Sequence, residues 1–208
     1  MICAIAAFAH VAAAQARTIE LTDFDVDRVA VISPQMPLSG WAASEVAAGQ
    51  FSSSLLDLQG DRVFLIRFPL DRIPAGQRII RAEWIVPIDL IAGAGTAKLH
   101  VRRVLGPWGV GACYDYRMRR PKPVPWKQAG AKGIAADRAA QPTAVVNVVD
   151  PGDYTINVTE DVELWNTGAA ENQGWLVTCE DPAGLVRLAS PLWTGQGRYK
   201  LRVTYEPE

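Results

Sequence analysis

The chain has 208 residues, 49% of them apolar and 21% charged, with a formal net charge of −1. That length suits one domain of the larger all-β kind and is short for two. The composition excludes an intrinsically disordered chain, and the near-neutral balance gives no global attraction to nucleic acid or to an anionic membrane.

Residues 1–16, MICAIAAFAHVAAAQA, carry no acid and no base, and they end in Ala14-Gln15-Ala16. That ending is the small-x-small pattern a signal peptidase reads, and the run is too short to cross a bilayer as a helix. The expectation is a signal peptide over 1–16, a secreted or cell-envelope location without a transmembrane segment, and one domain over 17–208. No Lys or Arg precedes the apolar run, so an upstream start or a plain apolar arm is the other reading. Asp23, Asp25 and Asp27 follow. If extended, they point three carboxylates to one face and suit a structural Ca²⁺ on a rim. The Gly and distal Glu of an EF-hand loop are missing, and a solvated strand face is the plainer reading.

Phe64 to Val86 reads as two half-buried strands joined by the Pro74-Ala75-Gly76 turn. Ala82, Trp84 and Val86 alternate with charged or outward positions. Leu99 and Val101 alternate with Lys98, His100 and Arg102; Tyr154, Ile156 and Val158 with Thr155, Asn157 and Thr159. The cleanest period-two run sets Tyr199, Leu201, Val203 and Tyr205 against Arg198, Lys200, Arg202 and Thr204. Regular strands with one polar face each predict an all-β fold, an antiparallel, jelly-roll-like β-sandwich. One short helical turn is expected after Thr159 as N-cap, with Glu160, Asp161 and Glu163 solvated, Val162 and Trp165 on one face, and Gly168 ending it. Residues 106–142 form a long irregular stretch, a length that in a compact domain is commonly functional.

These pieces, taken in order, resemble the DNRLRE domain, a β-sandwich family that includes carbohydrate-binding module family 96. Its Arg-Phe-Asp-Leu strand and Ile-Pro-x-Gly turn are matched by Arg67-Phe68-Pro69-Leu70 and Ile73-Pro74-Ala75-Gly76. Its Val-x-Arg-Val strand and Trp loop are matched by Val101-Arg102-Arg103-Val104 and Trp108, followed by Trp126 and Gly133 to Asp137. Its closing pattern is matched by Val158-Thr159, Val162 to Trp165, Gly168, Asn172-Gln173-Gly174 and Trp175-Leu176. Pro69 stands where the family has an acidic residue, and Cys113-Tyr114 where it has Thr-Trp. The resemblance implies a sandwich on an exported protein, in some members binding uronate-rich polysaccharide such as alginate. It also implies that Trp165 and Trp175 are structural.

Catalytic sets are thin. His100 is the one histidine after the leader, no nucleophile elbow is present, and Cys and His are too few for a structural zinc site. Cys113 and Cys179 are either a disulfide or two separate buried thiols. Of the seven Trp, Trp41, Trp108, Trp126 and Trp193 sit in turn-like contexts, where anchoring loops is the plainer role and stacking on sugar the sharper one. The basic segment 114–127, YDYRMRRPKPVPWK, supplies the candidate ligand site: Tyr116, Arg117, Arg119, Arg120 and Lys122. Arg forks match the planar carboxylates of uronates, and a Tyr ring offers a face to a sugar. The function expected is a non-catalytic module binding polysaccharide or a cell-surface or matrix glycan, or mediating adhesion. A purely structural envelope module is the alternative, and a polysaccharide lyase or glycosidase ranks third.

Overall fold

The computed structural model describes residues 15–38, 41–42, 56–93, 97–109, 111–180, 184–189 and 199–207. The leader lies outside them, apart from Gln15 and Ala16, as does Trp193; at Trp41 only the backbone is described. Among the described residues the elements run β1 (Arg17–Thr22), β2 (Arg28–Ile32), β3 (Trp41–Ala42), β4 (Asp57–Leu58), β5 (Val63–Arg67), β6 (Arg78–Ala92) and β7 (Ala97–Arg103). They continue with β8 (Tyr116–Met118), β9 (Val124–Pro125), β10 (Ala144–Val148), β11 (Gly152–Asn157), α1 (Thr159–Asn166), β12 (Trp175–Cys179), β13 (Leu185–Leu188) and β14 (Lys200–Glu206).

Two antiparallel sheets form the sandwich. The first is centred on the 15-residue β6, which pairs with β11 on one edge and with β13 and β14, in line, on the other. Beyond these lie β4 and β1. The second runs β10-β7-β12-β5-β2-β3. The expected all-β sandwich is therefore the fold. The two strands of the Phe64–Val86 stretch do not pair with each other: β5 belongs to the second sheet and β6 to the first, so the Pro74-Ala75-Gly76 turn crosses between layers.

The period-two runs aim one face of each sheet inward. Trp84, Val86, Leu201, Val203 and Tyr205 from the first sheet meet Phe64, Ile66, Leu99, Val101, Trp175 and Val177 from the second. Trp84 stacks on Trp175 with centroids 5.2 Å apart, and Trp165 of α1 leans on the same indole at 4.7 Å. The helix thus seals the sandwich with Val162 and Trp165, as its spacing predicted. Its start differs from expectation. Thr159 is the first helical residue rather than the N-cap, and its hydroxyl bonds the Ala82 amide and the Asn157 side chain. Gly168, at φ +74°, ends the helix.

Asn172 and Gly174 hold the approach to β12. The Asn172 amide bonds the Phe68 carbonyl at 2.8 Å, and its oxygen accepts from the Gly174 amide at 3.0 Å. Gly174 has φ +74°, and a Cβ there would collide with the Ile66 carbonyl, so only glycine fits.

A second core lies outside the sandwich. Ala30, Ile32, Val63, Leu65 and Leu176 point away from the first sheet, yet they are buried under Val104, Trp108, Ala112, Trp126 and Ala131. Most of the long irregular segment is this cover, so β5, expected to be half-buried, is buried on both faces, as is β12.

Candidate functional site

The cover on the second sheet is built by anchors rather than by strand pairing. Trp108 and Trp126 drive their rings onto the sheet, and each indole N–H finds a carbonyl, of Gln173 and of Cys113, both at 2.8 Å. Both are loop anchors, the plainer of the two expectations. Asp137 is buried, and its carboxylate accepts from the backbone amides of Lys127 (2.9 Å), Gln128 (2.9 Å) and Gly133 (3.0 Å). Between these anchors rises a small hairpin, β8 and β9, with Tyr116 opposite Pro125 and Met118 opposite Val124.

The hairpin divides the five candidate ligand residues. Arg119, Arg120 and Lys122 sit at its exposed tip and make no ion pair among the described residues. Tyr116 is half-buried at the base. Arg117 is half-buried too, and its guanidinium lies where a side chain at residue 106 would otherwise be, against Gly106. Arg117 therefore packs against the cover, whereas the three tip cations face solvent.

A pocket of about 380 Å³ opens beside this layer, lined by Gly60, Asp61, Val63, Lys132, Arg138, Thr178 and Glu180 among others. Lys132 is paired with Asp61 at 2.6 Å, a bond that raises its pKa. Arg102 donates to the Ala139 and Ala140 carbonyls and lies 4.0 Å from Glu180. His100 Nδ1 stands 3.5 Å from Glu180. Arg138 is half-buried, its Nε has no hydrogen-bond partner among the described residues, and the carboxylates of Glu180 and Asp137 lie near enough to attract it. Burial, followed by the nearby Arg102, lowers its pKa. Sequence reasoning missed this pocket: Arg138 is one base in an aperiodic stretch, and Thr178 is a lone polar residue in an apolar run.

A wider hollow of about 890 Å³ runs between the open edges of β10 and β11, with Arg103, Thr143, Asn157 and Asp161 among its walls. Asp161 is a structural hub here, not the solvated dipole partner expected. Its carboxylate accepts from Thr143 Oγ1 and Trp175 Nε1, each at 2.7 Å, and pairs with Arg103 at 3.0 Å. Desolvation raises its pKa, against the pull of those three partners.

Two further expectations change. No bond joins Cys113 to Cys179: both are buried thiols, the other reading of the pair. Cys179 faces the inter-sheet core, while Cys113 belongs to the cover on the opposite face of the second sheet, so the sheet stands between them. The Asp23, Asp25 and Asp27 run is a turn rather than an extended strand, and the carboxylates take separate partners. Asp23 is buried, Asp25 caps the Thr22 amide at 2.7 Å and pairs with Arg72, and Asp27 pairs with Arg67 and Arg28. Among the described residues no group of three His, Cys, Asp or Glu converges on a metal position. Nor, among them, is any helix long and apolar enough to cross a membrane. No family model matches the chain, and no curated protein matches it.

Proposed function

We propose that the chain is an exported, non-catalytic module of the DNRLRE type that binds an acidic, uronate-bearing polysaccharide on the tip of the β8–β9 hairpin. The observation that carries the reading is the trio Arg119, Arg120 and Lys122: exposed, adjacent, and without an acidic partner among the described residues. Guanidinium forks pair with planar carboxylates in two parallel hydrogen bonds, and a repeating uronate chain presents such carboxylates in series. Tyr116, half-buried at the hairpin base, offers an edge to the sugar rings. Export rests on the uncharged leader ending in Ala14-Gln15-Ala16, with Arg17 as the mature N-terminus. The family resemblance fits the roles of its motif residues, since Trp165, Trp175, Asn172 and Gly174 all serve packing or chain direction.

The test is retention on alginate and pectate against a neutral glucan, for wild type and for Arg119→Ala/Arg120→Ala/Lys122→Ala. The reading requires retention on the acidic polymers that weakens with added salt, because exposed charges are screened beyond about 8 Å at physiological ionic strength. It also requires loss of retention in the variant. Equal retention by the folded variant removes the hairpin as the site. No retention on any polymer favours a structural module, and release of unsaturated or reducing ends favours an enzyme.

A further inference from the structure

The open edge of β10 differs from the other edges of the sandwich among the described residues. β1 carries Arg17 and Glu20, β3 and β4 are two residues each, and β11 begins with Gly152 and Asp153. Shortness and charge keep a sheet edge from pairing with another chain. β10 has neither: Ala144-Val145-Val146-Asn147-Val148 is uncharged, lacks proline, and among the described residues pairs on one side only, with β7. Its outer stripe is apolar where water would favour polar side chains, with Val145 47% and Val149 62% exposed. The run 145–149, Val-Val-Asn-Val-Val, also reads the same in both directions. A two-fold axis through Asn147 therefore matches like with like when β10 meets β10 of a second copy antiparallel. Asn147 falls on Asn147, Val145 on Val149, and Val146 on Val148. Facing β-branched side chains pack across strands, and two Asn amides bond each other. The nearest charges do not oppose the pairing. Asp150 falls opposite Ala144 of the copy. Lys98, beside Asn147 on β7, stands three strand spacings, about 14 Å, from its counterpart, beyond the screening length of about 8 Å. The ladder ends where the Val149 amide turns to the Tyr154 hydroxyl, at 3.1 Å.

We propose that β10 is a homodimer interface: a second copy of this chain adds its own β10 antiparallel, centred on Asn147, and joins the two six-stranded sheets into one. The axis is perpendicular to the sheet, so both covers and both hairpins face the same side. With a single strand from each copy at its centre, the contact is smaller than a standard interface of about 1,600 Å², and the dimer is reversible. The interface uses none of the hairpin-tip residues and does not rest on the polysaccharide reading.

The experiment is sedimentation equilibrium of the full chain from micromolar to millimolar concentration. Wild type should pass reversibly from monomer to dimer and no further, because a two-fold pairing closes on itself. Asn147→Lys and Asn147→Asp each set like charges face to face on the axis, and each should raise the dissociation constant at least tenfold. Mixing the two variants sets unlike charges face to face and should restore dimers at wild-type affinity or tighter. The Asn147 side chain is exposed, so both variants should keep the wild-type circular dichroism. Hydrogen exchange on wild type decides the matter even if they do not: β10 amides should slow with rising concentration while β1 amides stay unchanged. A chain still monomeric at about 1 mM overturns the proposal and leaves the edge to a strand of another polypeptide. Growth beyond the dimer, association indifferent to folded Asn147→Lys, no rescue in the mixture, or β10 exchange independent of concentration overturns it as well.

Discussion

The outer faces of the two sheets have opposite fates. On the first sheet, Arg202 and Lys200 both pair with Glu20 at the surface, and Arg81 pairs with Glu83. On the second, Ala30, Ile32, Leu65 and Leu176 are dry beneath an aperiodic cover. Exposed ion pairs of the first kind contribute roughly 0–1 kcal/mol each. The cover buries apolar area but has no ladder to fix it, so indole donors and the Asp137 carboxylate take the place of strand pairing. Two cores of different construction follow: one held by interdigitating strands, one pinned at a few points.

Breaking the first core should cost most. Trp175→Ala removes the ring between Trp84 and Trp165 and the indole that Asp161 accepts from. Large-to-small changes of this kind cost about 3–5 kcal/mol. Thermal unfolding followed by circular dichroism should fall by roughly 2–4 °C per kcal/mol for a chain of this size. A shift of only a degree or two would mean that the stacked indoles are not the keystone of the sandwich.

The second core should break at a single carboxylate. Asp137→Asn keeps the shape but replaces one acceptor oxygen with a donor facing backbone amides, and should cost about 2 kcal/mol. The loss should be local. Hydrogen exchange at Lys127, Gln128 and Gly133 should accelerate while β6 and β12 amides stay protected. Equal acceleration in both places would show that cover and sandwich open as one unit.

The same contrast explains what could be read beforehand. Trp84, Leu99, Ile156, Leu201 and Val203 announce themselves because each lies on a strand with one wet face, and alternation encodes such a face directly. Strand β5, expected to be half-buried, is buried on both faces, and such burial erases alternation, leaving runs such as Phe64-Leu65-Ile66 and, in β12, Trp175-Leu176-Val177. The cover itself has no period. Its anchors, Trp108 and Trp126, could be suspected from residue type, but the three-amide role of Asp137 depends on chain geometry that no local pattern carries. For the same reason the tip cations were legible as a basic cluster, whereas Arg138 was not. The acidic run from Asp23 to Asp27 misled by spacing: an alternating pattern points one way only if the backbone is extended, and here it turns.

Asp161 links the edge hollow to the first core and gives a smaller, pH-dependent effect. Its folded-state pKa is raised, chiefly by desolvation, so the native state binds this proton more tightly than the unfolded chain does. Stability from this group is therefore present below the ordinary carboxylate range and declines as pH rises from that range through the raised folded value. Asp161→Asn deletes the titration while keeping an acceptor for Thr143 and Trp175. The stability of wild type minus that of the variant should thus shrink with rising pH across this window, measured by urea unfolding at a series of pH values. A difference that grows instead would mean that the Arg103 ion pair outweighs desolvation.

The smallest expected change in stability sharpens the contrast from the other side. Arg119, Arg120 and Lys122 contribute to neither core, and surface substitutions away from packed or hydrogen-bonded features are usually within about 0.5 kcal/mol of neutral. The triple alanine variant should therefore unfold like wild type while losing retention on alginate and pectate. Arg117→Ala is the informative partner to it. That side chain packs over Gly106 within the cover, so its removal should loosen the hairpin base measurably, because Arg stems bury apolar surface as well as carry charge. If the Arg117 variant is neutral in stability and the tip variant is not, the division of the basic segment into a packed base and a free tip is wrong. If both unfold like wild type, Arg117 adds nothing measurable to the stability of the cover.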